Sequence, residues 1–237
     1  MAAGAIYYGP MVTFIIATRN AHKVGEIRSI LGAGCRCLDL NYFPEAPNVI
    51  EDAGSFAGNS TKKAEELAAW IRETRAAAAE STGPVFVLAD DSGLEVDALG
   101  GAPGVHSARF AALDAGRPGN SADRDNNAKL LRLLNGTPVK ERTARFRCVV
   151  AVTPVQRYNV GGTSGVGNQT RVFDGTCEGR IQTEPAGQGG FGYDPLFVPL
   201  GHQETFAQLG EDTKNQLSHR SQALAGLKAW LASASLG

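Results

Sequence analysis

The apolar positions of the chain fall into short runs and helical stripes. Val12-Thr-Phe-Ile-Ile-Ala17 is rich in β-branched residues and almost continuous, as in a strand covered on both faces. Val24, Ile27, Ile30 and Leu31 then recur at helical spacing, which predicts strand, short loop, helix. Residues 61–80 are rich in Ala, Glu, Lys and Arg around a stripe of Leu67, Trp70 and Ile71, a helix by propensity that Gly83-Pro84 stops. Val85 to Ala89 reads as a second buried strand ending in a turn at Asp90-Asp91-Ser92-Gly93. After it, Leu94, Val96 and Ala98 alternate with Glu95 and Asp97, predicting a half-exposed strand.

Residues 100–120 are loop-rich, and Leu130, Leu131 and Leu134 mark a helix that Asn135-Gly136 ends. Residues 146–152 predict a strand, residues 161–168 a surface turn, residues 171–181 a pair of strands, and residues 196–198 a short apolar strand. A closing helix begins near Ser218 and carries Leu224, Leu227 and Leu231. Strands and helices alternate without a regular βαβ rhythm. The expected fold is therefore α/β: one unit with a mixed β-sheet and helices, in two lobes around a cleft. One domain is expected over residues 11–237, with residues 1–10 as a loose extension lacking the features of a secretory signal.

Composition narrows the partners. No apolar run approaches the roughly 20 residues a membrane-spanning helix needs. The 23 Lys and Arg residues nearly balance 24 acids, so no global field exists to hold a nucleic-acid backbone or an anionic membrane, and neither partner is expected. Four cysteines, Cys35, Cys37, Cys148 and Cys177, match neither a zinc spacing nor a disulfide scaffold and point to a reducing, cytoplasmic location.

Candidate chemistry lies in four places. Thr18-Arg-Asn-Ala-His-Lys23 joins a buried strand to a helix, where backbone N–H groups and the positive helix end suit an anion such as phosphate; the alternative is a polar loop that merely caps the helix. Asp90 and Asp91 place two carboxylates after an apolar strand and suggest Mg²⁺, with Glu51 or Asp52 as a further ligand; the alternative is ordinary turn chemistry. Gly187-x-Gly189-x-x-Gly192 formally matches a dinucleotide fingerprint, but Asp194-Pro195 and an apolar strand follow where a helix is required. A loop that lets backbone approach a ligand, with Phe191 or Tyr193 stacking on a base, fits better, beside a purely structural turn. Finally, His219 and Arg220 fall in the first turn of the closing helix, where cations oppose its dipole unless they face an anion or a carbonyl. Arg109 is a further candidate for phosphate or structural contact. No Walker loop, His-Glu-x-x-His or Gly-x-Ser-x-Gly occurs, which disfavours catalysis by a side-chain nucleophile.

Together these segments resemble the inosine triphosphate pyrophosphatase family, also called the Ham1 family. The resemblance rests on Ala17 to Lys23, Ala89 to Gly104, Gly189-Gly-Phe-Gly-Tyr-Asp-Pro195 and Ser218-His-Arg220, in that order, and spans nearly the whole chain. It implies an elongated α/β fold, a mixed β-sheet flanked by helices with a central nucleotide cleft between two lobes, and Mg²⁺-dependent hydrolysis of ITP, dITP or XTP to the monophosphate and pyrophosphate by a homodimer. It further implies that Thr18, Arg19, Asn20, Ala21, His22 and Lys23 hold the triphosphate, and that Asp91 binds metal and accepts the proton of water. Glu51 would be the second metal ligand, and Ser92, Phe191, Gly192, Tyr193, Asp194, Lys214, His219 and Arg220 would complete the nucleotide site. The chain departs from the family pattern at Gly58, where Glu is frequent, and in a longer stretch over residues 75–83. Competing readings are a pyrophosphatase of modified pyrimidine or methylated nucleotides, a nucleotide-binding regulator without turnover, and an NAD-dependent oxidoreductase.

Overall fold

The computed structural model describes residues 11–76, 83–116, 118–155 and 169–234. The expectations for residues 1–10 and 161–168, and most of the 75–83 stretch, lie outside them. In chain order the main elements are β1 (Val12–Ile16), α1 (Ala21–Leu31), β2 (Cys35–Asp39), α2 (Phe56–Thr74), β3 (Val85–Val96), α3 (Asp123–Leu133), β4 (Thr143–Pro154), β5 (Arg171–Ile181), β6 (Phe197–Pro199), α4 (Phe206–Leu217) and α5 (His219–Ser233). The sheet order is β2-β1-β3-β4-β5-β6, parallel among the first three strands and antiparallel from β3 onward. A mixed sheet flanked by helices is thus what the chain forms.

The long strands are the main correction. Residues 90–93 are not a turn: β3 runs unbroken for 12 residues, paired with β4 from Phe86 opposite Pro154 to Val96 opposite Ala144. The acidic tetrad has turn composition, but a full antiparallel ladder on one edge outweighs local preference. Gly93 serves close packing instead, since a Cβ there would come within 2.5 Å of both the Gly104 carbonyl and Ser107 Oγ. Residues 171–181 likewise form one strand, not two. Its Gly175 lets α5 settle onto the sheet, because a Cβ would lie 2.0 Å from the His219 carbonyl.

Helix α2 starts at Phe56, five residues ahead of the expected start at Thr61, because Ser55 caps it by accepting from the Gly58 N–H at 3.1 Å. It ends at Arg75, which takes the left-handed conformation (φ 54°) that usually falls to glycine. A Cβ on Gly58 would meet that of Ala53 at 2.7 Å, so the first turn is closely packed around this glycine.

The core is divided. On one sheet face α1 and α5 cover Phe14, Ile16, Phe86, Leu88 and Val150; on the other α2 covers Ile15, Val87, Ala89 and Ala151. A third cluster at the far ends of β3 and β4 joins Leu94, Val96 and Phe146 to β6, α3 and α4. Each fully buried Leu or Ile, such as Leu67 or Ile71 on α2, contributes about 1.5–3 kcal/mol. β1 pairs with β3 only as far as Ile16 opposite Leu88, so β3 continues past the end of its parallel neighbour, and the next residues but one are Asp90 and Asp91. The acids therefore sit between the clusters, where the sheet changes partners. Among the described residues no helix is long and apolar enough to cross a membrane.

Candidate active site

Successive side chains of a strand point to opposite faces. Asp90 and Asp91, neighbours within β3, consequently face different helices and cannot act as one carboxylate pair.

Asp90 is wholly buried on the α1–α5 face. It is ion-paired with Lys23, accepts from Arg220 Nε at 3.1 Å and Nη2 at 3.3 Å, and receives the Cys148 thiol at 2.8 Å. Ser92, two residues on and so on the same face, also donates to it at 3.1 Å. Burial opposes its charge, but Arg220 and Lys23 outweigh burial and hold the carboxyl well below its ordinary range. Burial and then Asp90 push the Cys148 thiol well above its own range, so it stays a donor. Arg220, at the first turn of α5, is paired in addition with Glu26 of α1. These acids remove the electrostatic objection to a cation at that helix end.

Asp91 faces α2. Asn59 Nδ2 donates to it at 2.9 Å, and the Lys63 ammonium stands 3.8 Å away, while also bonding Glu51 at 2.9 Å and the Asp90 carbonyl at 2.7 Å. Asn59 and Lys63 lie four residues apart and so on one helix face. Burial raises the Asp91 pKa, and the opposing pull of Lys63 and Lys23 does not cancel it. Asp91 is thus a buried carboxyl with two direct N–H donors, the Asn59 carboxamide and the Ser92 backbone amide at 3.1 Å, a cation at arm's length and a second carboxylate, Glu51, gathered on that same cation. Two carboxylates brought together in this way suit Mg²⁺, which takes one or two acids and completes its shell with water and phosphate oxygens. Asp90, saturated by two cations, does not belong to that donor set.

The loop before α1 is arranged differently from the expectation of free donors. Asn20 caps the helix, accepting from the N–H groups of His22 and Lys23 at 3.0 and 3.2 Å, and Thr18 Oγ1 accepts from Asn20 N–H at 3.1 Å. Arg19 turns toward another loop, bonding Asn48 Oδ1 at 2.7 Å and the Ala46 carbonyl at 3.1 Å. Ala21 opens the helix, and Lys23 carries the local charge toward Asp90.

Opposite lies the glycine-rich loop. Phe191 stacks on His22 with centroids 5.3 Å apart, and the Lys214 ammonium sits 4.3 Å above the same ring. Lys214 is paired with Glu26 at 2.7 Å and Asp194 at 2.5 Å, and Asp194 also accepts from the Phe191 N–H at 2.8 Å. A cavity of about 220 Å³ opens among His22, Glu26, Phe191, Lys214 and Asn215. His219 is buried against Phe146, rings 4.9 Å apart, and its Nδ1 has no partner. Burial, then Arg220 and Lys214, depress its pKa well below the ordinary range, so the imidazole is neutral. Tyr193 does not join this group: it is buried and its hydroxyl donates to the Ser107 carbonyl at 2.9 Å, a structural tie. Of the two aromatic candidates, only Phe191 presents a ring to the cavity.

Glu26, Asn59, Lys63 and Cys148 are members of this network that the linear motifs do not single out. The i, i+4 spacing of Asn59 and Lys63 marks a common face once the helix is known to begin at Phe56.

The Ham1 family model matches residues 14–230. The chain is 42% identical over 218 residues to a dITP/XTP pyrophosphatase of Shouchella clausii, covering 92% of this chain and 96% of that one. It is 46% identical over 211 residues to another from Desulforamulus reducens, at 89% and 90% coverage. Among solved structures it resembles a HAM1 protein from Coxiella burnetii, with TM-score 0.72, 32% identity and coverage of 94% of this chain and 100% of that one. It is also similar to the Ham1 protein of Staphylococcus aureus, with TM-score 0.69, 34% identity and coverage of 93% and 98%.

Proposed function

The chain belongs to the Ham1 family, and from that premise we propose that it hydrolyses ITP, dITP and XTP to the monophosphate and pyrophosphate. The observation that carries the chemistry is the position of Asp91, a carboxyl with a raised pKa beside Lys63 and Glu51 and away from the salt-bridged Asp90.

In this reading the ionised Asp91 accepts a proton from the water that adds at the α–β anhydride, and pyrophosphate departs with the bridging oxygen. The raised pKa makes it a better base than an ordinary aspartate. Asn59 fixes the carboxylate plane, and Lys63 offsets charge developing on the phosphate oxygens. Asp91 and Glu51 are the residues that would hold Mg²⁺, which when bound would neutralise part of the triphosphate charge. Lys23 adds a cation from the loop holding Thr18 to His22.

Base selection falls to the cavity under Phe191, with Ser92 joining Arg220 to β3 at 2.9 Å. A neutral His219 with an unpartnered Nδ1, next to Arg220, suits a 6-oxo purine. A 6-amino group would strand buried polar groups, and discrimination built that way reaches about 10⁴-fold, against about 10–200-fold for apolar fit. The same reading includes a single two-lobed domain over residues 11–237, a homodimer and a cytoplasmic setting, the last in keeping with four free cysteines.

The test is product analysis after incubation with Mg²⁺ and ITP, XTP, GTP or ATP. IMP or XMP with pyrophosphate, GTP and ATP being spared, is expected. Diphosphate with phosphate, or tight binding without turnover, would overturn the reading.

A further inference from the structure

The loop that carries Phe191 is tied down at its next residue in an unusual way. Gly192 donates its N–H to Asp123 Oδ2 at 2.7 Å and accepts at its carbonyl from Asn127 Nδ2 at 2.9 Å. Asp123 opens α3 and Asn127 lies one turn later on the same face, so one helix grips both polar groups of one residue. The grip uses backbone that only glycine adopts cheaply, since Gly192 has φ 62°.

Asn127 is 8% exposed, and its Oδ1 is buried without a partner. An unsatisfied buried acceptor costs about 1–3 kcal/mol, so the carboxamide is committed to donation toward Gly192 despite a local penalty. Asp123 sits where a carboxylate favours the N-terminus of α3, which pre-aligns it for the Gly192 N–H. On the other side of the loop, Asp194 takes the Phe191 N–H at 2.8 Å, and Gly189 donates to the Ala207 carbonyl at 3.2 Å. The Asp194 N–H also donates to the Phe191 carbonyl at 3.3 Å, and the α3 contacts hold the next residue, Gly192.

We propose that Asp123 and Asn127 are positioning residues: by clamping the backbone on both sides of Gly192 they set the height of the Phe191 ring over the nucleotide base. This rests on the nucleotide reading above for the identity of the ligand. Neither side chain touches the reacting groups, and their effect is transmitted through the two peptide units that flank the Gly192 Cα.

The experiment uses the full-length chain with the variants Asp123→Ala, Asp123→Asn and Asn127→Ala. Two readouts need no turnover: exchange of the Gly192 amide by NMR, and the His22 ring-proton shift, which stacking by Phe191 displaces. In Asp123→Ala the Gly192 amide should exchange at least about tenfold faster, as for loss of local protection, and the His22 shift should move toward that of Phe191→Leu. Asp123→Asn, which keeps an acceptor oxygen, should restore both. With ITP, KM should rise about five- to tenfold in Asp123→Ala and Asn127→Ala with kcat within about twofold, the pattern for lost binding rather than lost chemistry. Unchanged Gly192 exchange would overturn the clamp, and faster exchange with an unmoved His22 signal would overturn its control of the ring. A fall in kcat at constant KM would overturn the assignment to base positioning. Absence of ITP turnover in the parent chain would sink the functional reading, and the two NMR signals would still decide the clamp.

Discussion

The two faces of β3 hold adjacent carboxylates in sharply different company. Asp90 and Asp91 share a strand, a ladder partner and near-complete burial, with 2% and 5% exposure. Burial alone would raise both pKa values. On the α1–α5 face Lys23 and Arg220 converge on Asp90 and reverse the effect. On the α2 face Asp91 has Lys63 at 3.8 Å, and Lys63 is shared with Glu51, so burial prevails. The number and proximity of cations, rather than depth, separates an anchor from a base.

The comparison breaks most visibly at the anchor. Asp90→Asn leaves Lys23 and Arg220 facing a neutral amide in a buried setting, and should cost about 3–5 kcal/mol of stability, the usual range for breaking a buried pair. Urea unfolding of the variant checks it. A loss below about 1 kcal/mol would mean that Glu26 alone satisfies Arg220 and that Asp90 is dispensable to the fold.

Asp91→Asn should do the converse. Turnover should fall by at least about 10²-fold, using general-base magnitudes as a floor, while stability holds or rises. The sign follows from linkage. A carboxyl whose folded pKa is raised disfavours its ionised form in the native state, so it subtracts stability as pH climbs above about 3.9, and an amide removes that loss. Asp90, with its folded pKa depressed, contributes stability above that pH and loses it as pH falls through the depressed value. Acid unfolding should therefore be dominated by Asp90, and the acid limb of activity by Asp91. A variant at Asp91 that retained activity would remove the assigned base.

This division was only half legible in the sequence. β1, α1, α3, β4 and α5 follow from apolar periodicity, and the Thr18–Lys23, Asp91, Phe191 and Arg220 segments stand out as motifs. Asp90 and Asp91 are another matter. Read as a turn, they look like a metal-binding pair; read within a continuous strand, their alternation assigns them to opposite faces. The missing information was the β4 ladder, a contact some 60 residues away that no local composition reveals, as with Cys148 and Asp90. β2 is short and polar on its exposed positions, and α4 is interrupted at Gly210 (φ 81°), so neither carries a clean period. Lys63 was hidden because the stripe of α2 suggested a start at Thr61, which would leave Asn59 outside the helix.

Lys63 offers the finest test, because it is the largest single charge opposing the burial of Asp91. Lys63→Met keeps the length of the side chain and removes the ammonium. Asp91 should then hold its proton to higher pH, and the acid limb of kcat/KM, which reports the free enzyme, should move upward. Lys63→Arg should keep the limb near its original position. The fold should tolerate the neutral variant better than it tolerates Asp90→Asn, because Glu51 remains partly solvated and Asp91 can neutralise itself by protonation, whereas the buried Arg220 stays charged and keeps only Glu26. An acid limb that stayed in place in Lys63→Met would show that the titrating group is not the Asp91 carboxyl facing α2, and the contrast between the two faces would then lie in stability alone.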